Sequence, residues 1–365
     1  MKIIYKSGAL TGATLKFSKE ILKMKLKYMK YIIILLFIGI SVQQVYSGPR
    51  KNLGTMAAPE LLIPLGSIGT SLEGSNLANA TGVDAMFWNP AGLCEFDSKT
   101  ADVMFSHMNY IADIKMEYFA GAVKVGSFGV LGASIRNLNF GDIPITTVDQ
   151  PDGTGGTFSP TYLTANVSYS RAMTDKVHFG TNLKLITERI ADVSATDWAV
   201  DFGLQYVAPV GLRFGIALKN LGPSMQFDGP GLNQTFQENG QTIYRRVTLQ
   251  SFDLPTSLEI GLSYGKTFAK NNTIAVSGSF MNNGFTSDEY RFGLEYNYNQ
   301  YVYLRGAFTV YPDKLAGESL FGPSFGAGVK YPFGNLTLGF DYAYRIVKES
   351  GFDATNQFFT LHVGF

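Results

Sequence analysis

Phe358-Phe359-Thr360-Leu361-His362-Val363-Gly364-Phe365 closes the chain, alternating strictly before it stops on an aromatic residue. Successive side chains of a strand point to opposite faces, so Phe359, Leu361, Val363 and Phe365 share one face and Phe358, Thr360, His362 and Gly364 the other. An apolar face ending in Phe has the form of the last strand of a bacterial outer-membrane β-barrel, where it serves as an address for assembly. The stretch predicts a strand with one face on lipid and places the protein in the cell outer membrane.

Composition agrees with that reading. The chain is 45% apolar, 14% aromatic and only 16% charged, with 40 Gly and 20 Tyr. That mixture is poor in charge and rich in strand formers and in the aromatics that form interfacial girdles. A helical bundle would need repeated runs of ~20 apolar residues, and the sequence past its N-terminus has none.

One continuous apolar run exists, from Tyr31 to Ile40. It follows a basic stretch with Lys23, Lys25, Lys27 and Lys30 and precedes Val45-Tyr46-Ser47-Gly48. A basic region, a short apolar region and small residues at a cleavage point make a secretory signal peptide, so residues 1–47 are expected to be removed, with Met24 or Met29 as alternative starts. No Cys follows the run closely, which argues against a lipoprotein. Residues 1–47 hold eight Lys and one Glu, so their loss moves the net charge from +1 to −6. A nucleic-acid partner is therefore not expected. The single Cys94 cannot form an internal disulfide and reads as a small packed apolar residue.

From about residue 100, alternating segments of roughly ten residues recur between turn signals. Fourteen are predicted, near 100–111, 114–125, 127–138, 160–172, 176–189, 196–207, 211–220, 255–266, 272–281, 288–299, 301–310, 322–331, 334–345 and 355–365. Alternation is clearest where Tyr290, Phe292, Leu294, Tyr296 and Tyr298 are interleaved with Arg291, Gly293, Glu295 and Asn297. Short turns near 125–127, 174–176, 208–210, 269–271, 299–300 and 332–333 alternate with connections at 139–159, 190–195, 221–254, 282–287, 311–321 and 346–354, all expected to be longer. Only the first hairpin, around Ala112-Asp113, breaks this rule. The fold class expected is all-β membrane: a 14-stranded antiparallel transmembrane β-barrel over residues 100–365, with an N-terminal luminal hatch over 48–99.

A lumen that wide is not filled by wall side chains alone. Residues 48–99 lack alternation, and from Gly66 to Leu93 they are rich in Gly, Ala, Ser and Asn, which permit close backbone packing. Within them, Asp84-Ala85-Met86-Phe87-Trp88-Asn89-Pro90-Ala91-Gly92-Leu93 resembles the N-terminal motif of the PorV/PorQ family, which belongs with the FadL-like outer-membrane barrels. Lys219-Asn220-Leu221-Gly222-Pro223, Leu254-Pro255 and Asp341-Tyr342-Ala343-Tyr344-Arg345 extend the resemblance over most of the mature chain. PorV-like members serve type IX secretion, protein transport in which the barrel receives cargo by its C-terminal signal domain. FadL-like members instead pass hydrophobic molecules through the wall.

The resemblance thus implies a cargo-binding or shuttle role, with a FadL-like channel for hydrophobic small molecules as the alternative. The partners to expect are outer-membrane lipid, secreted cargo proteins with secretion-system subunits, or a hydrophobic small molecule. The hatch-motif residues Asp84, Trp88, Asn89, Pro90, Ala91 and Gly92 are the candidate docking elements. Asn89 can hydrogen-bond backbone groups, Pro90 biases Asn89 away from helix, Trp88 is a large anchor with one donor, and Asp84 can cap a turn or meet a luminal cation.

Inward positions carry both signs: Lys184, Glu188, Asp197, Asp201, Arg213, Lys219, Glu259, Arg291, Glu295, Arg305, Asp341 and Arg345. Of these, Arg291, Glu295, Arg305, Asp341 and Arg345 are expected to form a luminal network. Mixed signs suit bracing of wall and hatch better than an ion-selective constriction. The three histidines, His107, His178 and His362, stand in no nucleophile or metal-ligand spacing, so neither an enzyme, a metal nor a cofactor is expected. Segments 221–254 and 139–159 are the candidate contact loops, and Gly129 and Gly132 mark the third strand as the place where a lateral opening would kink the wall.

Overall fold

A computed structural model describes residues 54–95, 100–111, 114–238, 241–312, 321–347 and 355–365. The expected signal peptide and the Ala112-Asp113 hairpin lie outside the described residues, as do most of the connections predicted at 311–321 and 346–354. Eighteen strands are described. They are β1 (Ala101–Asn109), β2 (Lys115–Val125), β3 (Gly129–Asn139), β4 (Ile143–Pro144), β5 (Thr157–Phe158), β6 (Thr161–Ala172), β7 (Val177–Ile190), β8 (Val193–Val207) and β9 (Leu212–Leu221). There follow β10 (Asn233–Glu238), β11 (Gln241–Arg246), β12 (Ser257–Phe268), β13 (Asn272–Asn283), β14 (Glu289–Tyr298), β15 (Val302–Val310), β16 (Phe321–Phe333), β17 (Leu336–Val347) and β18 (Thr355–Gly364).

Fourteen of these close a barrel in which every strand pairs antiparallel with its neighbours in the chain, and β1 pairs with β18. β4–β5 and β10–β11 are separate two-stranded hairpins within the two longest connections. Each of the fourteen predicted segments corresponds to one barrel strand. Closure matters because lipid cannot satisfy the hydrogen bonds of an open sheet edge. The closing pair runs from Asp102↔Gly364 to Asn109↔Gln357, and Phe365 N–H donates to the Ala101 carbonyl at 2.8 Å. Both ends of the barrel therefore sit on one rim.

Alternation sorts the side chains as the pattern predicts. On β18, Phe358 and Thr360 are fully buried whereas Leu361 is exposed; on β14, Arg291 is buried between exposed Phe292 and the outward Tyr290. Phe119, Val167, Leu183, Leu294, Leu304, Phe325 and Leu361 are each exposed by half or more, an outer surface suited to hydrocarbon.

Two expectations need correction, and a third is refined. The connection predicted at 190–195 is not long: β7 and β8 pair up to Ile190↔Val193, leaving Ala191 and Asp192 as a two-residue turn with Ala191 at φ 49°. Ser194 and Thr196 continue the strand because they pair across with Arg189 and Thr187, so their polar side chains do not end it. The connection 221–254 is long, as expected, and structured: it carries the β10–β11 hairpin, is closed on itself by the bridge Met225↔Phe252, and is tied to β8 by the bridge Ser194↔Asp228. Finally, β3 is not kinked. Its ladders to β2 and β6 run unbroken from Val125↔Gly129 to Lys115↔Asn139 and from Val130↔Ser170 to Asn139↔Thr161. The inward face of Gly132 is covered by Met86, whose sulfur lies 3.1 Å from where a Cβ would stand.

Candidate functional site: the luminal segment and its two cavities

Residues 54–95 cross the lumen in short helical turns, Pro59–Leu62, Ser67–Ser71, Ser75–Ala78, Gly82–Asp84, Ala85–Trp88 and Pro90–Cys94. The segment starts at the loop rim, where Ala57 N–H donates to the Asp253 carbonyl at 2.9 Å and Ala57, Ala58 and Leu61 pack with Ile186, Ala199, Met225 and Leu254. It finishes near the opposite rim, where Glu95 takes both terminal nitrogens of Arg213 at 2.8 and 2.5 Å. Wall glycines let it lie close: a Cβ on Gly180 or Gly203 would stand 2.2 Å from Pro90 or from the Asn89 side chain.

The motif residues are anchors of this segment. Asn89 is extended (φ −156°, ψ 105°), as the residue before a proline should be. Its amide donates to the Leu77 and Leu204 carbonyls at 3.1 and 3.3 Å, and its Oδ1 accepts from Ala91 N–H at 3.2 Å. Trp88 is 4% exposed and donates from Nε1 to the Leu65 carbonyl at 3.1 Å. Pro90, Ala91 and Gly92 are buried, the Ala91 carbonyl accepts from Ser170 Oγ at 2.9 Å, and a Cβ on Gly92 would stand 1.9 Å from the Ala80 carbonyl. Cys94 packs half-buried, with its sulfur 3.4 Å from the Ala91 carbonyl. Asp84 caps no turn. Its Oδ2 instead lies 3.3 Å from His362 Nε2, an ion-pair distance without hydrogen-bond geometry. Burial pushes the Asp84 carboxyl up to about 6, with the His362 ring pulling the other way.

The luminal segment divides two cavities that share no lining residue. The turn-side cavity, about 210 Å³, is lined by Ile68, Leu72, Asp84, Arg305, Asp341 and His362 among others. The loop-side cavity is about 500 Å³. Its apolar cover comes from Pro59, Leu61, Leu62, Ile63, Pro64, Phe87 and Trp88 of the segment, and its polar floor from Glu73, Lys219, Glu259, Glu289, Arg291 and Arg345.

The five residues expected as one luminal network fall into separate groups on either side of this partition. Arg305 bridges Glu295 and Asp341, each at 2.6 Å, on the turn side. On the loop side Arg291 meets Glu289 at 2.8 Å and Glu259 at 3.4 Å, and Glu259 also holds Lys219 at 2.9 Å. Arg345 pairs with Glu73 of the luminal segment, Nε and Nη2 donating at 3.1 and 3.0 Å. Alternation placed the wall partners inward but gave no signal for Glu73. Nor did it signal Glu60, whose buried carboxyl faces that of Glu188.

The remaining inward positions brace the wall. Lys184 pairs with Asp201 at 2.7 Å and donates to Asn220 at 2.7 Å; Asp201 also accepts from the Asn220 backbone, fixing the bulge where Asn220 takes φ 58°. Asp197 is half-buried at the loop end of β8. Every cation lining the loop-side cavity is thus matched by a carboxylate, which leaves an amphipathic chamber of no net charge.

No protein-family model matches the chain, and neither does any curated protein sequence. Solved structures do match. The CymD monoaromatic hydrocarbon channel is 13% identical with a TM-score of 0.53 over 83% of this chain and 98% of that one. The toluene transporter TodX of Pseudomonas putida is 13% identical with a TM-score of 0.54 over 82% and 96%. The toluene transporter TbuX of Ralstonia pickettii is 14% identical with a TM-score of 0.50 over 82% and 97%. At these identities the likeness is one of fold alone, a closed antiparallel β-barrel.

Proposed function

We propose that the protein is an outer-membrane channel that takes hydrophobic small molecules into the loop-side cavity and passes them across the barrel. The observation that carries this reading is the chamber of about 500 Å³ at the loop rim, covered by apolar side chains of the luminal segment, with its ionic floor paired within itself. Paired ions present no net charge to a guest and discourage free ions from entering, whereas an apolar guest gains by covering Phe87, Leu61 and Ile63. The folds of CymD and TodX, a hydrocarbon channel and a toluene transporter by description, support the same direction.

The secretion role implied by the PorV/PorQ resemblance rests on the sequence motif. In the structure those motif residues anchor the luminal segment, a duty that passage of small molecules needs as much as cargo binding does. Deletion of the gene separates the two. Lost uptake of a hydrophobic compound with unchanged surface and secreted proteins supports passage; cargo accumulating in the periplasm would replace it with the secretion role.

A further inference from the structure

Asn283 is the last residue of β13, 5% exposed, and lines the loop-side cavity. Its Oδ1 accepts from Phe285 N–H at 3.1 Å, the side-chain turn that Asn forms with the backbone two residues on. That bond also fixes which way round the amide sits. Its backbone N–H is taken by Asp288 Oδ1 at 3.3 Å. The side-chain Nδ2 is left over: it makes no hydrogen bond among the described residues and is not sealed off, so it is turned to the space that the residue lines. Two phenols share that space, Tyr110 directly after β1 and Tyr311 directly after β15. Neither hydroxyl has a hydrogen-bond partner among the described residues.

These neutral groups differ in kind from the ionic floor. Lys219, Arg291 and Arg345 are engaged by Glu259, Glu289 and Glu73. A carboxylate guest therefore finds the cations occupied and meets the carboxylates that hold them. A pure hydrocarbon fails for another reason. On entry it displaces water from the Asn283 amide and returns no acceptor, and a buried donor left unpaired costs more than one hydrogen bond contributes. A guest with a neutral oxygen acceptor satisfies that N–H and leaves the floor undisturbed. Size sets a second limit. An apolar cavity of about 150 Å³ holds a single benzene ring, so a chamber of about 500 Å³ admits two or three.

We infer that the guest this chamber selects is a neutral hydrophobe of two or three rings that carries a carbonyl or similar oxygen acceptor, and that Asn283 Nδ2 is the donor that recognises it. Phe87 and Trp88 of the luminal segment cover the rings, and the Tyr110 and Tyr311 hydroxyls are open to a second polar group on the same guest. The selection rests on the passage reading above and names the class of molecule within it.

The test compares three ligands of similar shape, diphenylmethane, benzophenone and diphenylacetate, by equilibrium dialysis against the full-length protein in detergent, with protein-free micelles as the reference. Benzophenone is expected to bind roughly two- to ten-fold more tightly than diphenylmethane, the yield of one net hydrogen bond, and diphenylacetate to bind most weakly. Asn283→Leu should bring the affinities for benzophenone and diphenylmethane together. If that variant does not fold, Asn283→Asp, which keeps the acceptor for Phe285 N–H and loses the donor, is read in its place. Equal binding of benzophenone and diphenylmethane by the unmodified protein, tightest binding of diphenylacetate, or a preference that survives the Asn283 substitution overturns the inference and leaves the passage reading standing. If none of the three binds and toluene does, the inference falls alone; if toluene also fails to bind, both fall.

Discussion

Glu73 and Arg345, 272 positions apart in sequence, meet as a two-point ion pair that joins the luminal segment to the barrel wall at 3.0 and 3.1 Å. Both side chains are almost fully buried. Removing one partner of such a pair strands a charge, at a cost of about 3–5 kcal/mol. Arg345→Met is therefore expected to lower the unfolding free energy in detergent by that order, and the double variant Glu73→Gln with Arg345→Met to recover most of the loss. Equal loss in the single and double variants would show that the pair is not coupled.

Trp88 is packed between glycines. A Cβ on Gly69 would stand 1.9 Å from its Nε1 and one on Gly74 2.5 Å from its Cζ3, and Gly74 also has φ 74°. Gly69→Ala should destabilise the luminal segment by about 1–3 kcal/mol through overpacking. The shift should be read as altered Trp88 emission and faster proteolysis between residues 54 and 95, with the barrel's β-sheet circular dichroism unchanged. Loss of the barrel signal as well would mean that segment and wall fold as one unit.

Asn89→Ala removes two donated hydrogen bonds and one accepted from Ala91, leaving buried carbonyls of Leu77 and Leu204 without that partner. A cost of about 1–3 kcal/mol follows from the stranded polar groups. Thermal unfolding of Asn89→Ala against Asn89→Asp checks it, since neither side chain keeps the donor.

Asp84 gives the luminal segment a pH dependence. Its carboxyl is raised by burial from 3.8 to about 6, so between those values the folded state holds more protons than the unfolded state. Stability therefore falls as pH rises from about 4 to about 6 and is level above. His362, Asp341, Asp102 and Arg305 face the same group. Asp84→Asn should flatten the dependence of segment docking across that window; an unchanged slope would assign it to another of these groups.

The barrel was legible because each strand repeats one signal, a period of two between lipid-facing and inward residues. Tyr290–Tyr298 shows it without help from any other part of the chain. Strand ends were less legible. Ser194 and Thr196 look like a loop and are a ladder, because cross-strand pairing to β7 overrides their polarity. The contents of the lumen carried the weakest signal. Gly-rich composition and the Trp88-Asn89-Pro90 motif marked the segment, but its partners are fixed by three-dimensional approach. Glu73 lies in a stretch without periodicity and meets residues on β15, β16 and β17 that no spacing links to it.

The central claim is that the loop-side cavity receives hydrophobic molecules, and Trp88 in its lining offers a direct reporter. The chain has one other tryptophan, Trp198, half-exposed on the outer surface, so a Trp198→Phe protein emits from the cavity alone. Titration of that protein with toluene should give a saturable change in Trp88 emission, and equilibrium binding of toluene, measured without the fluorescence readout, should be lost when Met281→Trp fills the chamber. A linear, unsaturable response, or equal binding with the chamber filled, would contradict the account.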